Sequence, residues 1–142
     1  MVARLATVSR NARPHVNPIF FVVSDSSIHL GTTTQTLAAR NVRANPWVQI
    51  LFEVEEDPAD RRIVRVDGTA SVRSEPELLR TYKRLDFRKY FRSAKGFWMA
   101  LTHLRQLSLT RSYLSPAGSD AHHCVIEVAP TCIEILTAAF DD

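Results

Sequence analysis

The strongest constraint on the fold is a series of short apolar segments that follow one another through turns. They are rich in Val, Ile, Phe and Thr, and Pro, Asn, Asp or Ser cluster between them. The predicted strands are 4–9, 15–23, 28–32, 47–54, 63–73 and 124–136, the last divided by Pro130. Parallel strands need crossover connections of about a dozen residues or more, so short turns favour antiparallel pairing. We therefore predict a mainly β fold, a six-stranded antiparallel closed or split barrel.

Two regions have the apolar spacing of helices. One follows the third strand at about 36–44, and the other runs from Ser74 to about residue 91 with a continuation over 94–107. Ser74 and Glu77 have the spacing of a capping box, which indicates where the second region begins. We predict a short helix after the third strand and a helical pair before the last strand.

The chain has 142 residues, 45% of them hydrophobic, which suffices for one domain with a sizeable core. We predict a single domain over residues 1–142. No apolar run approaches the length of a membrane span, and the first residues lack the charged and apolar segments of a secretory signal. A cytoplasmic protein that does not bind membranes is expected.

The net charge of +3 raises the possibility of an anionic partner. The basic residues are scattered, and aromatic residues do not alternate with them as on single-strand-binding surfaces, so we predict no nucleic-acid partner. A basic surface also suits an anionic small molecule. Cys124 and Cys132 lack the spacing of zinc ligands, so we predict no metal site and two free, buried thiols.

A run of threonines lies where the third strand meets the short helix: Thr32, Thr33, Thr34 and Thr36. Backbone N–H groups at a helix N-terminus have no intrahelical partner and can bind a phosphate. The hydroxyls add donors, and Arg40 lies one turn further on. Threonine is also an ordinary N-cap, so the run is compatible either with an anion site or with simple capping by Thr34 or Thr36.

The second predicted strand contains Pro18, which cannot donate to a β-ladder. We expect it at a bulge or an open edge, where backbone groups beside Asn17 stay free for a ligand. Phe20 and Phe21 are adjacent and point to opposite faces, so one of them is expected in the core. His29 alternates outward on the third strand and is predicted to face solvent rather than to act as a base.

No nucleophile–base–orienter set and no paired carboxylates occur at a convincing spacing. We therefore predict no catalytic side chain. A hydride-transfer enzyme does not need one, because the cofactor supplies the reactive atom and the protein supplies position and electrostatics.

Several segments in this order resemble the pyridoxamine 5′-phosphate oxidase-like family of flavin-binding split β-barrels. They are 5–8, 13–22 with its Arg13-Pro14-His15-Val16-Asn17-Pro18 start, the threonine run, 40–46 and 64–70. The resemblance implies a homodimer with FMN, or the related 8-hydroxy-5-deazaflavin, bound between the subunits. It places the cofactor's phosphate on Thr32, Thr33, Thr34, Thr36 and Arg40, and its ring along Asn17, Pro18, Ile19 and Phe20. The bulky run 91–104 independently suggests an apolar interface.

The chain departs from the family pattern at the threonine run. Family members with tightly held flavin commonly have Ser-Arg-Lys where this chain has Thr36-Leu37-Ala38, so two phosphate-binding cations are missing. Their loss costs on the order of a few kcal/mol of binding. The C-terminal half also lacks the Trp-rich and Arg/His-rich signature of true pyridoxamine 5′-phosphate oxidases.

The function predicted from the sequence is an FMN- or deazaflavin-dependent oxidoreductase that transfers hydride to or from an unknown small-molecule substrate. The alternative is a non-catalytic protein of the same fold that has lost flavin and binds haem or another ligand. The weakened phosphate position supports that alternative.

Overall fold

The computed structural model describes residues 2–53, 62–91 and 123–137. The strands are β1 (Ala3–Val8), β2 (Pro14–Ile19), β3 (Phe21–Ser24), β4 (Ser27–Thr33), β5 (Trp47–Glu53), β6 (Arg62–Arg73) and β7 (His123–Thr137). The helices are α1 (Leu37–Ala44) and α2 (Pro76–Phe91). The predicted helix at 94–107 lies outside the described residues. Neither α1 nor α2 is long and apolar enough to cross a membrane.

The strands form one antiparallel sheet in the order β2-β1-β5-β6-β7-β4-β3. Its two edge strands, β2 and β3, are consecutive in the chain and separated only by Phe20. The sheet must therefore curl until its edges meet. The predicted count of six strands was wrong because the segment 15–23 divides at Phe20: its first part pairs with β1 and its second part with β4.

The inner face of the curled sheet carries the core. Its fully buried side chains include Leu5, Leu30, Ile50, Ile126 and Val128. Each large apolar side chain buried in this way contributes about 1.5–3 kcal/mol. Phe21 is buried and its ring packs tilted against Phe52 with centroids 4.6 Å apart, whereas Phe20 is 54% exposed. This confirms that one of the two adjacent phenylalanines belongs to the core.

Helix α1 packs against the same core through Ala38 and Val42, as its apolar spacing predicts. Asn41 is buried on this face, and its Nδ2 donates to Thr7 Oγ1 of β1 over 3.0 Å. A polar side chain is tolerated here because its donor finds a buried acceptor. The hydrogen bond fixes α1 against the first strand.

The sheet is irregular where β6 passes β7. The register shifts between Asp67 and Gly68, opposite Pro130. A Cβ atom at Gly68 would lie 2.6 Å from the Ala129 carbonyl oxygen, so this position requires glycine. Thr131 Oγ1 donates to the Asp67 carbonyl over 3.1 Å beside the proline, which has no N–H of its own. The predicted division of the last strand at Pro130 was wrong, because the bulge accommodates the proline within continuous β7.

Helix α2 contacts β3 and β7 and lies against Gly31 of β4. A Cβ atom at Gly31 would lie 2.5 Å from the Tyr82 ring, so the glycine is what lets this ring pack on the strand. His29, two residues earlier on the same face, is only 6% exposed, and its Nδ1 is enclosed without a partner in the described part of the chain. The prediction that His29 faces solvent was wrong. Strand alternation places it on the outer face, but α2, which is distant in sequence, packs on that face.

The two thiols differ in exposure. Both cysteines are free, Cys124 buried and Cys132 exposed on the outer part of β7. The prediction of free thiols is confirmed, whereas burial holds for Cys124 alone. Cys132 lies beyond the part of β7 that β4 pairs with, so no strand flanks it on that side within the described residues.

Candidate functional site

The residues from Thr32 to Thr36 form a hydrogen-bonded corner between β4 and α1, called here the threonine corner. Thr36 is the N-cap of α1: its Oγ1 accepts from the Ala39 N–H over 3.3 Å and donates to the Thr33 carbonyl over 2.9 Å. The hydroxyls of Thr32 and Thr36 lie 3.0 Å apart. The capping role that the sequence left open therefore belongs to Thr36, and its hydroxyl is already engaged by the protein.

Other donors at the threonine corner remain available. The hydroxyls of Thr33 and Thr34 make no hydrogen bond to any part of the described chain. The amides of Leu37 and Ala38 begin α1 and have no intrahelical acceptor, and the positive end of the helix dipole lies beside them. These groups fit a phosphate, whose oxygens need several converging donors.

The cations at the corner differ from the predicted set. Arg43 Nη1 donates to the Thr34 carbonyl over 2.8 Å, so its guanidinium lies at the corner. The Arg40 side chain is exposed and makes no hydrogen bond within residues 2–53, 62–91 and 123–137. The sequence pointed to Arg40 because it lies one turn after the threonines, whereas the long side chain of Arg43 reaches back to them.

The two positions at which the family's cations are missing have different surroundings. Leu37 is partly exposed at the first position of α1, whereas Ala38 is buried in the core. A cation could therefore be added at residue 37 without disturbing packing. A lysine at residue 38 would have to leave the core first, because cores are packed without spare volume.

Strand β7 adds two side chains that the sequence did not assign to the site. His123 is opposite Thr33 and Cys124 is opposite Thr32 in the register of β4 and β7. Burial raises the pKa of the Cys124 thiol, and the charge of Arg43 acts in the opposite direction. A long-range strand pairing brings these residues to the corner, so no local sequence signal could have assigned them.

The predicted ring segment lies on edge strand β2 and on the break that follows it. Asn17 and Ile19 are half-buried, and Pro18 and Phe20 are exposed, so the four predicted residues divide between two faces. Pro18 is on an edge strand, as its missing N–H predicted. Asn17 Nδ2 is buried and has no hydrogen-bond partner among the described residues. A buried donor without an acceptor costs about 1–3 kcal/mol, which an acceptor on a bound ligand would recover.

Helix α1 connects the threonine corner with the ring segment. Its N-terminus begins at the corner, and Asn41 on its second turn is bonded to Thr7. Thr7 is opposite His15, which precedes Asn17 by two residues on the same face of β2. Strand β2 also contacts β4, and Phe21 is opposite Leu30, so Asn17 and the threonine corner lie at the same end of the sheet, on the same side of that pair.

A charged side chain from α2 lies beside the ring segment. Lys89 Nζ donates to the Phe21 carbonyl over 2.9 Å and lies 3.2 Å from the centroid of the Phe21 ring. Burial lowers the pKa of Lys89 to about 8, although the nearby Asp86 carboxylate acts in the opposite direction. The sequence did not assign Lys89 to the site, because no local pattern shows which strand a helix will contact.

Within the described residues, no group of three or more His, Cys, Asp or Glu side chains could hold a metal ion. The available chemistry is hydrogen-bond donation and positive charge around an anion, together with aromatic and apolar contacts near the β2–β3 break.

Residues 1–115 match the family model described as pyridoxamine 5′-phosphate oxidase, and the chain belongs to this family of FMN-binding split-barrel proteins. The resemblance inferred from the sequence is thereby confirmed. Among curated proteins, none matches the chain.

Solved structures share the fold at low sequence identity. The conserved hypothetical protein Rv2991 of Mycobacterium tuberculosis has a TM-score of 0.69 and 20% identity, over 96% of this chain and 76% of its own. An F420 reductase has a TM-score of 0.58 and 22% identity, over 94% and 89% of the two chains. An FMN-binding protein of Nostoc punctiforme has a TM-score of 0.58 and 19% identity, over 96% and 73%. At these identities the comparisons establish the fold.

Proposed function

We propose that the protein binds FMN or an 8-hydroxy-5-deazaflavin and uses it as an oxidoreductase on a small-molecule substrate. The observation that carries the proposal is the buried Asn17 Nδ2, which has no hydrogen-bond partner among the described residues, at the same end of the sheet as the donors of the threonine corner. An amphiphilic cofactor with a phosphate at one end and a ring with polar edge atoms at the other would satisfy both.

The residues have distinct roles in this proposal. The Leu37 and Ala38 amides, the Thr33 and Thr34 hydroxyls and the Arg43 guanidinium hold the phosphate. Arg40 adds long-range attraction rather than a fixed contact. Asn17 donates to an acceptor on the ring, and Phe20 supplies apolar surface beside it. The bound cofactor supplies the hydride chemistry, while these side chains bind and orient it.

The comparisons support both cofactors and do not distinguish them. The family is one of FMN-binding proteins, and the solved relatives of the same fold include an FMN-binding protein and an F420 reductase. F420 is an 8-hydroxy-5-deazaflavin with a longer acidic tail. The excess of basic residues in this chain is compatible with that tail.

We also propose a homodimer as the working form. The bulky run 91–104 that first suggested an interface lies outside the described residues. Two other apolar residues now support it: Ile133 and Ile135 on β7 are 63% and 64% exposed. They lie beyond the stretch that β4 pairs with, on a strand whose free edge could meet another chain.

The proposal is tested by titrating the purified wild type and the Asn17→Leu variant with FMN and with the deazaflavin, and following binding by cofactor fluorescence. Loss of the donor should weaken binding about tenfold. The same variant should unfold at a higher temperature without ligand, because it removes a buried unpaired group. Asn11→Leu makes the same chemical change in the exposed β1–β2 turn and should leave affinity unchanged.

Turnover is tested by following reoxidation of the reduced bound cofactor with a panel of small-molecule acceptors. Binding without any turnover would favour the second candidate, a non-catalytic ligand-binding protein. One observation favours that candidate: the Thr36 hydroxyl is occupied by capping, and the adjacent positions 37 and 38 carry no charge. Failure to bind either cofactor would contradict the proposed oxidoreductase.

A further inference from the structure

Three polar residues on one face of α2 connect the two halves of the candidate site. Tyr82, Asp86 and Lys89 are spaced four and three residues apart, so they share a helix face. Tyr82 Oη donates to Asp86 Oδ1 over 3.3 Å. The Asp86 carboxylate is close enough to Lys89 to affect the pKa of its amine, and Lys89 Nζ donates a hydrogen bond to the Phe21 carbonyl. These three side chains are called here the α2 relay.

The ends of the relay lie next to the two halves of the site. Tyr82 packs on Gly31, which directly precedes Thr32 of the threonine corner. Lys89 contacts Phe21, which directly follows Phe20 of the ring segment. The single helix α2 therefore contacts β4 at Gly31, just before the threonine corner, and β3 at Phe21, just after the break between β2 and β3.

We propose that the α2 relay sets the spacing between the threonine corner and the ring segment, which makes Tyr82, Asp86 and Lys89 positioning residues for the cofactor. The inference rests on the proposed function, because it concerns the same site. A cofactor held at both ends binds well only if the two halves are correctly spaced, so a side chain that touches neither end of the ligand can control its affinity.

The charge state of Lys89 should modulate the relay. Burial lowers the Lys89 pKa to about 8 and raises that of Asp86. The strands packed against α2 carry other titratable or charged groups: His29, which is enclosed on β4, and on β7 Glu127, which pairs with Arg73, together with His123, Cys124, Cys132 and Glu134; β3 carries none. The surroundings of Lys89 in the folded protein favour its neutral amine. The packing of α2 on β3 should therefore become more favourable as pH rises through about 8. The neutral amine can still donate to the Phe21 carbonyl.

The test compares the wild type with Lys89→Met, Lys89→Arg and the control Lys83→Met, which changes an exposed lysine of the same helix. At pH 7.5, Lys89→Met should raise the cofactor dissociation constant about three- to tenfold, whereas Lys83→Met should leave it unchanged. Between pH 7 and pH 9.5 the wild type should gain affinity by a few fold. Lys89→Arg should not, since arginine stays protonated. Ionisation of groups on the cofactor itself affects its binding to all four proteins equally, so this effect cancels in the comparison.

A second measurement does not require the cofactor. In the ligand-free protein, the NMR shifts of the Phe21 ring should titrate near pH 8 in the wild type and in Lys83→Met, and should not in either Lys89 variant. Equal affinities and equal pH profiles for wild type and Lys89→Met would overturn the positioning role while leaving the proposed function intact. Binding of neither cofactor by the wild type would instead overturn the proposed function, and the positioning role with it.

Discussion

Asn41 of α1 and Thr7 of β1 form a buried side-chain hydrogen bond, Nδ2 to Oγ1 at 3.0 Å, between residues that are 34 positions apart. Both residues are almost completely buried. The bond holds the helix whose N-terminus forms the threonine corner against the strand that pairs with the ring segment. Its integrity should therefore matter for both stability and the shape of the site.

Removing both partners of this bond should cost less stability than the two single removals added together. Asn41→Leu leaves the Thr7 hydroxyl without its donor and should lower the free energy of unfolding by about 1–3 kcal/mol. Thr7→Val should have a similar effect by leaving the Asn41 amide unpaired. The double variant should lose less than the sum of the two, as measured by urea denaturation. Strict additivity would show that the two side chains are not coupled.

Gly31 and Tyr82 should show a steric coupling of the opposite kind. Gly31→Ala places a methyl group where the Tyr82 ring lies and should destabilise the fold by about 1–3 kcal/mol. In a Tyr82→Ala background the same substitution should cost much less, because the ring is gone. Gly68→Ala offers a control, since its obstacle is the Ala129 backbone and removing Tyr82 should not rescue it. An unchanged cost of Gly31→Ala in both backgrounds would argue against α2 packing on β4.

The phosphate end of the site should respond to charge at residues 43 and 37. Arg43→Ala should raise the dissociation constant of FMN by about tenfold, and Arg40→Ala by less, because only Arg43 is fixed at the corner. Leu37→Arg should tighten binding by restoring a cation at an exposed position of the first turn. In the absence of ligand, Leu37→Arg should lower the free energy of unfolding by a few tenths of a kcal/mol, because it adds a cation at the positive end of the helix dipole. Isothermal titration at two salt concentrations checks this, since a real phosphate contact weakens with ionic strength.

The dimer should depend on the exposed isoleucines of β7. Ile133→Lys should convert a dimer to a monomer in sedimentation at micromolar concentration, with little effect on the folding of each subunit, because the side chain is already exposed in the single chain. The dimer should also show a thermal midpoint that rises with protein concentration. Val23→Lys changes an equally exposed residue on β3 and serves as the control. A wild-type monomer would remove the basis for a shared site.

Much of the fold could be predicted from short-range patterns. Local patterns located the strand segments within a few residues, although they merged β2 with β3 and divided β7, and apolar spacing placed Ala38 and Val42 of α1 in the core. Pro18 correctly indicated an edge strand. The candidate site was predicted less completely. Thr36 was correctly considered as a cap, whereas Arg43, His123 and Lys89 at the site were not foreseen.

The sequence by itself determined most of the strand segments, the positions of α1 and α2 and the family, and it narrowed the cap of α1 to Thr34 or Thr36, because these depend on residues that are close together in the chain. Only the tertiary structure decided that the segment around Phe20 joins the two edges of the sheet, that His29 is buried and that α2 reaches Phe21. Strand register and helix docking set these outcomes. They follow from the burial of apolar surface shared between segments far apart in sequence, which no local pattern specifies.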